Sequence, residues 1–271
     1  MSNITNRKLT TLQELHVSNS GKIMAPLYFN FAHFVKKHAR HPIFVSYRSG
    51  HPIKHALDHI GVPSNELWIN TSITKAKHLI TEKVREYCDS LGLRNPYTFV
   101  DNGYEGIIPS RLKDTGRYGQ IQPIFLTGYK RIAPRVKGTK IMVSQPWESI
   151  RLKHGISNSV FNPITDNIEE IPKQYSDYYV DNLERNSQGK LVMKPIKESD
   201  FDIEIFNAFF AGMKDGYSFC DTNSKKFKKY LELIIKSELV DMPQATESEK
   251  DSELMLDRSH KNLETVQDIY F

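Results

Sequence analysis

Five short apolar runs, separated by segments of helical periodicity, constrain the fold of this chain more than any other feature. The runs are Pro42–Ser46, Glu66–Asn70, Tyr97–Asp101, Pro123–Thr127 and Lys140–Ser144. Their apolar residues are consecutive, the pattern of strands buried on both faces. Between them lie Pro52–Ile60, with Pro52 suited to a first helical turn and Gly61 to a stop, an amphipathic stretch over 74–91, and a helix opening at Pro109–Leu112. This alternation predicts an α/β fold with a mainly parallel sheet flanked by helices. Right-handed crossovers would gather the loops after the strands on one rim, where ligands of such sheets bind.

The flanks read differently. Residues 1–24 are polar and are expected to be peripheral, with a helix beginning at Pro26 and running to Ala39. The α/β core is expected over 25–150. Residues 151–242 read as an irregular and helical extension, with helices over Phe201–Met213, capped by Ser199, and over Ser224–Leu239. From Pro243 the chain carries five acidic residues between Glu247 and Asp257, expected to form a solvated tail with a short helix at Leu263–Tyr270.

Composition narrows the class. Lys+Arg exceed Asp+Glu by 37 to 32, a net +5 and a mild excess for a dedicated nucleic-acid binder. No apolar window is long enough for a membrane span, and the first residues lack the apolar core of a secretory signal. Cys88 and Cys220 are too few for a disulfide framework or a cysteine zinc site. The expectation is a soluble, reduced, cytoplasmic protein with no membrane partner.

Two turns carry the candidate chemistry. The first run leads into Arg48, Ser49 and Gly50, just before a predicted helix. Backbone N–H groups at a helix start, with a glycine allowing close approach, form an anion site, and Arg48 adds a planar, permanently charged fork. The third run ends in Asp101-Asn102-Gly103, followed by Glu105, Gly106, Ile107 and Ile108. Asp101 and Glu105 suit sugar hydroxyls or a Mg²⁺ bridging to phosphates. The N–H groups from Gly103 to Ile108 suit a phosphate. Each turn also has a plainer reading, as a strand–helix junction with a solvated Arg and a capping Asp.

The pair resembles the two loops of the type I phosphoribosyltransferase-like family. YRSGHP after a strand resembles the pyrophosphate loop, commonly R-G-G-x-P. FVDNGYEGIIP resembles the phosphoribosyl-diphosphate loop, a strand followed by D-D/E-x-x-x-T-G. The likeness is strongest to divergent branches, the tellurite-stress operon proteins and the domain that follows haloacid-dehalogenase modules in polysaccharide-locus proteins. The resemblance implies that Arg48, Ser49 and Gly50 hold a diphosphate and that Asp101, with Asn102, orients the ribose hydroxyls. Gly103, Glu105, Gly106, Ile107 and Ile108 would wrap the 5′-phosphate. It implies a small phosphorylated ligand, Mg²⁺ held indirectly through the diphosphate, and transfer of a pentosyl group with Asp101 and Arg48 as catalytic residues. The family's acidic pair stands here as Asp101-Asn102, and no Thr precedes Gly106. A non-catalytic module sensing a nucleotide or phosphosugar is the alternative.

Other candidates rank lower. No acid stands between Asp114 and Glu148, where Arg117, Lys130, Arg131, Arg135, Lys137 and Lys140 fall. Lys130 and Arg131 follow a predicted strand and would reach the same rim, and the stretch as a whole offers a nucleic-acid accessory role. His51, His55 and His59 share a helical face but lack a completing carboxylate, so no metal site is assigned. Trp147 is expected to pack rather than stack on a base. Cys88 is expected to be buried and not nucleophilic.

Overall fold

A computed structural model describes residues 8–46, 50–69, 82–93, 96–102, 106–114, 116–127, 136–143, 183–189, 191–193, 200–236 and 248–271. The elements in chain order are α1 (Thr11–His38), β1 (Ile43–Ser46), α2 (His51–His59), β2 (Asn65–Leu67), α3 (Glu82–Ser90), β3 (Tyr97–Asp101), α4 (Ile107–Asp114), β4 (Ile121–Thr127) and β5 (Lys140–Val143). They continue with β6 (Leu183–Arg185), β7 (Leu191–Met193), α5 (Asp200–Gly216), α6 (Ser224–Lys236) and α7 (Glu249–Tyr270). The chain is an α/β protein with a five-stranded, all-parallel sheet in the order β2-β1-β3-β4-β5. Among the described residues no helix is long and apolar enough to cross a membrane.

Two compact units emerge, one of residues 31–150 with 172–196 and one of residues 1–30, 151–171 and 197–271. The sheet unit owes its core to the consecutive apolar runs. β1 is buried at all four positions and β3 at its first four, leaving Asp101 half-buried at the strand end. Phe44, Tyr97, Phe99, Ile121 and Phe125 share a cluster with Leu67, Tyr87, Leu112 and Tyr118. Phe44 and Tyr97 meet edge to face at 5.8 Å, an arrangement worth about 1 kcal/mol beyond its buried area. The buried phenols have partners. Tyr97 donates to the Tyr118 carbonyl, and Tyr87 accepts from the Trp68 N–H. Cys88 lies in the same core, fully buried, and burial pushes its thiol up to about 12. A thiol so protonated is not a nucleophile at neutral pH.

Gly61 ends α2 at φ +69°. Its N–H bonds to the Asp58 carbonyl and the next N–H, of Val62, to the Leu57 carbonyl, a Schellman closure that only a residue tolerating the left-handed region completes cheaply. β2 stops at Leu67, short of the expected Asn70. The first part of the 74–91 helix lies outside the described residues, and α3 is its described end.

The helical unit corrects three expectations. Residues 1–24 do not form a wholly peripheral segment, because α1 begins at Thr11 and buries Val17, Ile23 and Met24. Its start is a reciprocal cap: Thr10 Oγ1 accepts from the Gln13 N–H, and Gln13 Oε1 accepts from the Thr10 N–H. Pro26, expected to open a helix, lies inside one. The acidic end is helical rather than a solvated tail. Ser248 caps α7 by accepting from the Asp251 N–H, and Val266, Ile269 and Tyr270 are buried. In the sheet unit, within the stretch expected to be irregular, β6 and β7 form an antiparallel hairpin. The α5 and α6 helices lie where expected, while Ser199 and Leu239 fall outside the described residues.

Candidate functional site at the divergence of β1 and β3

β1 and β3 are neighbours in the sheet, yet their connections leave in opposite directions. β1 runs through α2 to β2 on one side, and β3 through α4 to β4 on the other. Such a reversal opens a crevice beyond the strand ends and is the preferred ligand position in parallel sheets. Both turns singled out from the sequence leave the sheet at this point.

In-register pairing through Val45 and Val100 sets the next residues, Ser46 and Asp101, side by side. Ser46 Oγ donates to Asp101 Oδ1 over 2.6 Å, and the Asn102 N–H donates to the same oxygen over 2.8 Å. The carboxylate is thereby oriented at the rim. Asn102 is itself buried.

Two helix starts complete the rim. Gly50 caps α2, whose first turn contains Pro52 and no acid. A Cβ on Gly50 would stand 2.6 Å from Val45 Cγ1 and 2.9 Å from Ser46 Oγ, so Gly50 lies against the end of β1 at a distance only glycine permits. Gly106 is buried with φ +62°, and its carbonyl accepts from the Ser110 N–H. It therefore caps α4, whose first turn also lacks an acid. Helix starts concentrate partial positive charge on their N–H groups. Ile107 and Ile108 are the first residues of α4, and the Ile108 side chain is buried, so their contribution to a ligand would come from the backbone.

Gly50, Asp101, Asn102, Gly106, Ile107 and Ile108 lie at these strand ends and helix starts. Arg48, Ser49, Gly103, Glu105, Lys130 and Arg131 lie outside the described residues, as do Arg135 and Trp147. Arg117, one of the cations of the basic stretch, pairs with Asp89 and its guanidinium lies over the Tyr118 ring. Ser46 was not singled out from the sequence, although it ends its strand as Asp101 does. In the sequence His51 stands out only as one of three helical histidines. Its Nδ1 lies 2.6 Å from Glu66 Oε1 on β2, which ties the start of α2 to the sheet. Asp58 pairs with Lys54. Among the described residues no three His, Cys, Asp or Glu side chains converge as a metal cage. Comparison with family models, with curated proteins and with solved structures found no match.

Gly50→Ala tests the close approach. The added methyl must push the turn off β1, so ligand affinity at the rim should fall about tenfold, with about 1–3 kcal/mol lost from stability. Titration and denaturant unfolding read the two effects. An Ala variant with both quantities unchanged would show that the turn accommodates a side chain.

Proposed function

We propose that the sheet unit binds phosphoribosyl diphosphate, or a nucleotide presenting the same ribose and phosphate groups, where β1 and β3 diverge. The observation that carries this reading is the oriented Asp101 carboxylate, held by Ser46 between two acid-free helix starts. A carboxylate beside two N–H-rich turns suits a ligand that presents sugar hydroxyls between two phosphate-bearing ends. In this reading Asp101 accepts from the ribose hydroxyls. The first turn of α4, with Gly106, Ile107 and Ile108, takes the 5′-phosphate, and Gly103 and Glu105 of the preceding loop wrap it. The α2 start, with Arg48, Ser49 and Gly50, takes the diphosphate. The resemblance of YRSGHP and FVDNGYEGIIP to the two loops of the phosphoribosyltransferase-like family supports the same division of roles. Mg²⁺ would arrive with the diphosphate and neutralise its charge. Such a ligand is intracellular, so the cytoplasm is the proposed compartment, and the free state of Cys88 and Cys220 is compatible with it.

If the site transfers the pentosyl group, the bond from ribose C1 to the diphosphate oxygen breaks with its electron pair leaving on diphosphate. An acceptor base forms the new bond to C1 and gives its proton to solvent. Positioning and charge stabilisation supply the rate in such a step. Mg²⁺-dependent release of diphosphate on adding a panel of nitrogen bases would identify a transferase. Ligand binding without release would identify the sensing module, and the absence of both would contradict the reading.

Arg48→Ala separates the two ends of the ligand. Loss of a charge-assisted contact of about 1.5–3 kcal/mol should weaken a diphosphate ligand by about tenfold to a hundredfold. Ribose 5-phosphate should be affected far less. Equal losses for the two ligands would remove Arg48 from the diphosphate position.

A further inference from the structure

The two units carry opposite charge. The sheet unit, residues 31–150 with 172–196, holds 22 Lys+Arg against 12 Asp+Glu, a net +10. The helical unit holds the remaining 15 against 20, a net −5. The mild overall excess therefore conceals one strongly basic unit.

Part of that charge is gathered where α1 ends and β5 begins. No acidic residue stands between Glu14 and Asp58 or between Asp114 and Glu148, and these two acid-free stretches meet in space. Lys140 Nζ, on the first residue of β5, lies 3.3 Å from His38 Nδ1 in the last turn of α1. Lys36, Lys37 and Arg40, each within two residues of His38, and Lys137, three residues before Lys140, are exposed. The Arg40 backbone is pinned to β3 on both sides, its N–H donating to Thr98 Oγ1 and its carbonyl accepting from the same hydroxyl, each over 2.8 Å. Lys137 sits in the tight turn closed by Thr139 onto the Val136 carbonyl. Among the described residues none of these cations lies within 4 Å of a carboxylate.

The histidines register the resulting field. His38 is pulled below the ordinary histidine range by burial and then by Lys140 and Lys37. His33, a turn earlier in α1, is lowered by burial and then by Lys36. The negative end of the α1 dipole accounts for cations in its last turn. It does not account for Arg40, Lys137 and Lys140, which come from two other segments.

We propose that this face, built from Lys36, Lys37, Arg40, Lys137 and Lys140, binds the phosphate backbone of a nucleic acid. Cations without carboxylate partners on a firmly held surface are what counterion release requires. A membrane surface fits less well, because the exposed large apolar side chains among the described residues, Leu15, Leu254 and Phe271, lie in the helical unit. The sheet unit offers nothing of that kind, among the described residues, to insert between lipids. The proposal goes beyond the small-ligand reading and stands without it.

The test uses the full chain with a short labelled DNA duplex and a single-stranded RNA of mixed sequence, titrated from about 50 to about 200 mM salt. The variant Lys36→Ala/Lys37→Ala/Arg40→Ala is compared with Lys225→Ala/Lys228→Ala/Lys229→Ala. The second set removes the same charge from exposed positions on α6. The first variant should bind at least tenfold more weakly, with a salt slope shallower by about 3, while the second stays near the parent. Absence of binding at low salt, equal losses in the two variants, or binding to phosphatidylserine vesicles but not to nucleic acid would each overturn the proposal.

Discussion

Asp101→Asn should weaken binding of phosphoribosyl diphosphate by about thirtyfold or more while leaving thermal stability nearly unchanged. The substitution keeps the shape of the side chain and an oxygen able to accept from Ser46 and from the Asn102 N–H, so the rim can close as before. It removes the charge that would strengthen bonds from the ribose hydroxyls. A hydrogen bond to a charged acceptor contributes about 1 kcal/mol more than one to a neutral acceptor. Two such bonds give about 2 kcal/mol, or about thirtyfold in affinity. Ser46→Ala is the companion. It leaves the carboxylate charged but removes the hydroxyl 2.6 Å from Oδ1, and should cost a smaller factor through lost orientation. A melting temperature that collapses in Asp101→Asn would make Asp101 a structural cap, and the functional assignment would fail with it.

The second large effect is structural. Gly212→Ala should lower stability by about 3 kcal/mol, at the upper end of overpacking costs, or roughly 6–12 °C in melting temperature for a chain of this size. In the helical unit α1 and α5 cross with their backbones in contact. A Cβ on Gly212 would lie 1.9 Å from the Ser18 carbonyl oxygen, and one on Gly21 would lie 2.1 Å from that of Phe209. Gly216 repeats the approach one turn later, 2.6 Å from Ala25 Cβ and 2.9 Å from the Lys22 oxygen. These neighbours at Gly21 and Gly212 are backbone atoms, so no rotamer change relieves the overlap and the helices must separate. Gly119→Ala is the control, since its nearest neighbours would stand at an ordinary 3.6 Å. Indistinguishable melting of the two variants would contradict the close crossing.

The strands were legible because burial on both faces leaves no choice of residue. Phe44, Val45, Phe99, Val100, Ile124 and Phe125 sit in consecutive apolar runs and became β1, β3 and β4. Their lateral order was not legible, because nothing in one strand names its neighbour. The Ser46–Asp101 hydrogen bond joins positions 55 residues apart and appears only once β1 and β3 are adjacent. Hence the sequence marked the acid at the rim but missed the hydroxyl that orients it.

The helical unit was misread for a different reason. Ser18, Asn19, Ser20 and Gly21 look like loop residues, yet they lie within α1, where Ser18 and Gly21 stand at the close crossing with α5. Asn19 Nδ2 reaches Ser259 Oγ on α7 over 3.2 Å, so polarity in this stretch reflects packing between helices and not exposure. The signals that would have located the helices were local. Thr10 and Gln13 stand at the spacing of a reciprocal cap, and Ser248 stands three residues before Asp251. In α7 the acids are exposed while Ser252, Ser259, Val266 and Ile269 are buried. A count of acids alone misses that division.

The most direct test of the small-ligand account is calorimetric titration of the full chain with phosphoribosyl diphosphate, with and without Mg²⁺. The account predicts saturable, Mg²⁺-assisted binding that is reduced at least thirtyfold in Asp101→Asn. No binding under either condition, or equal binding by parent and variant, would contradict it.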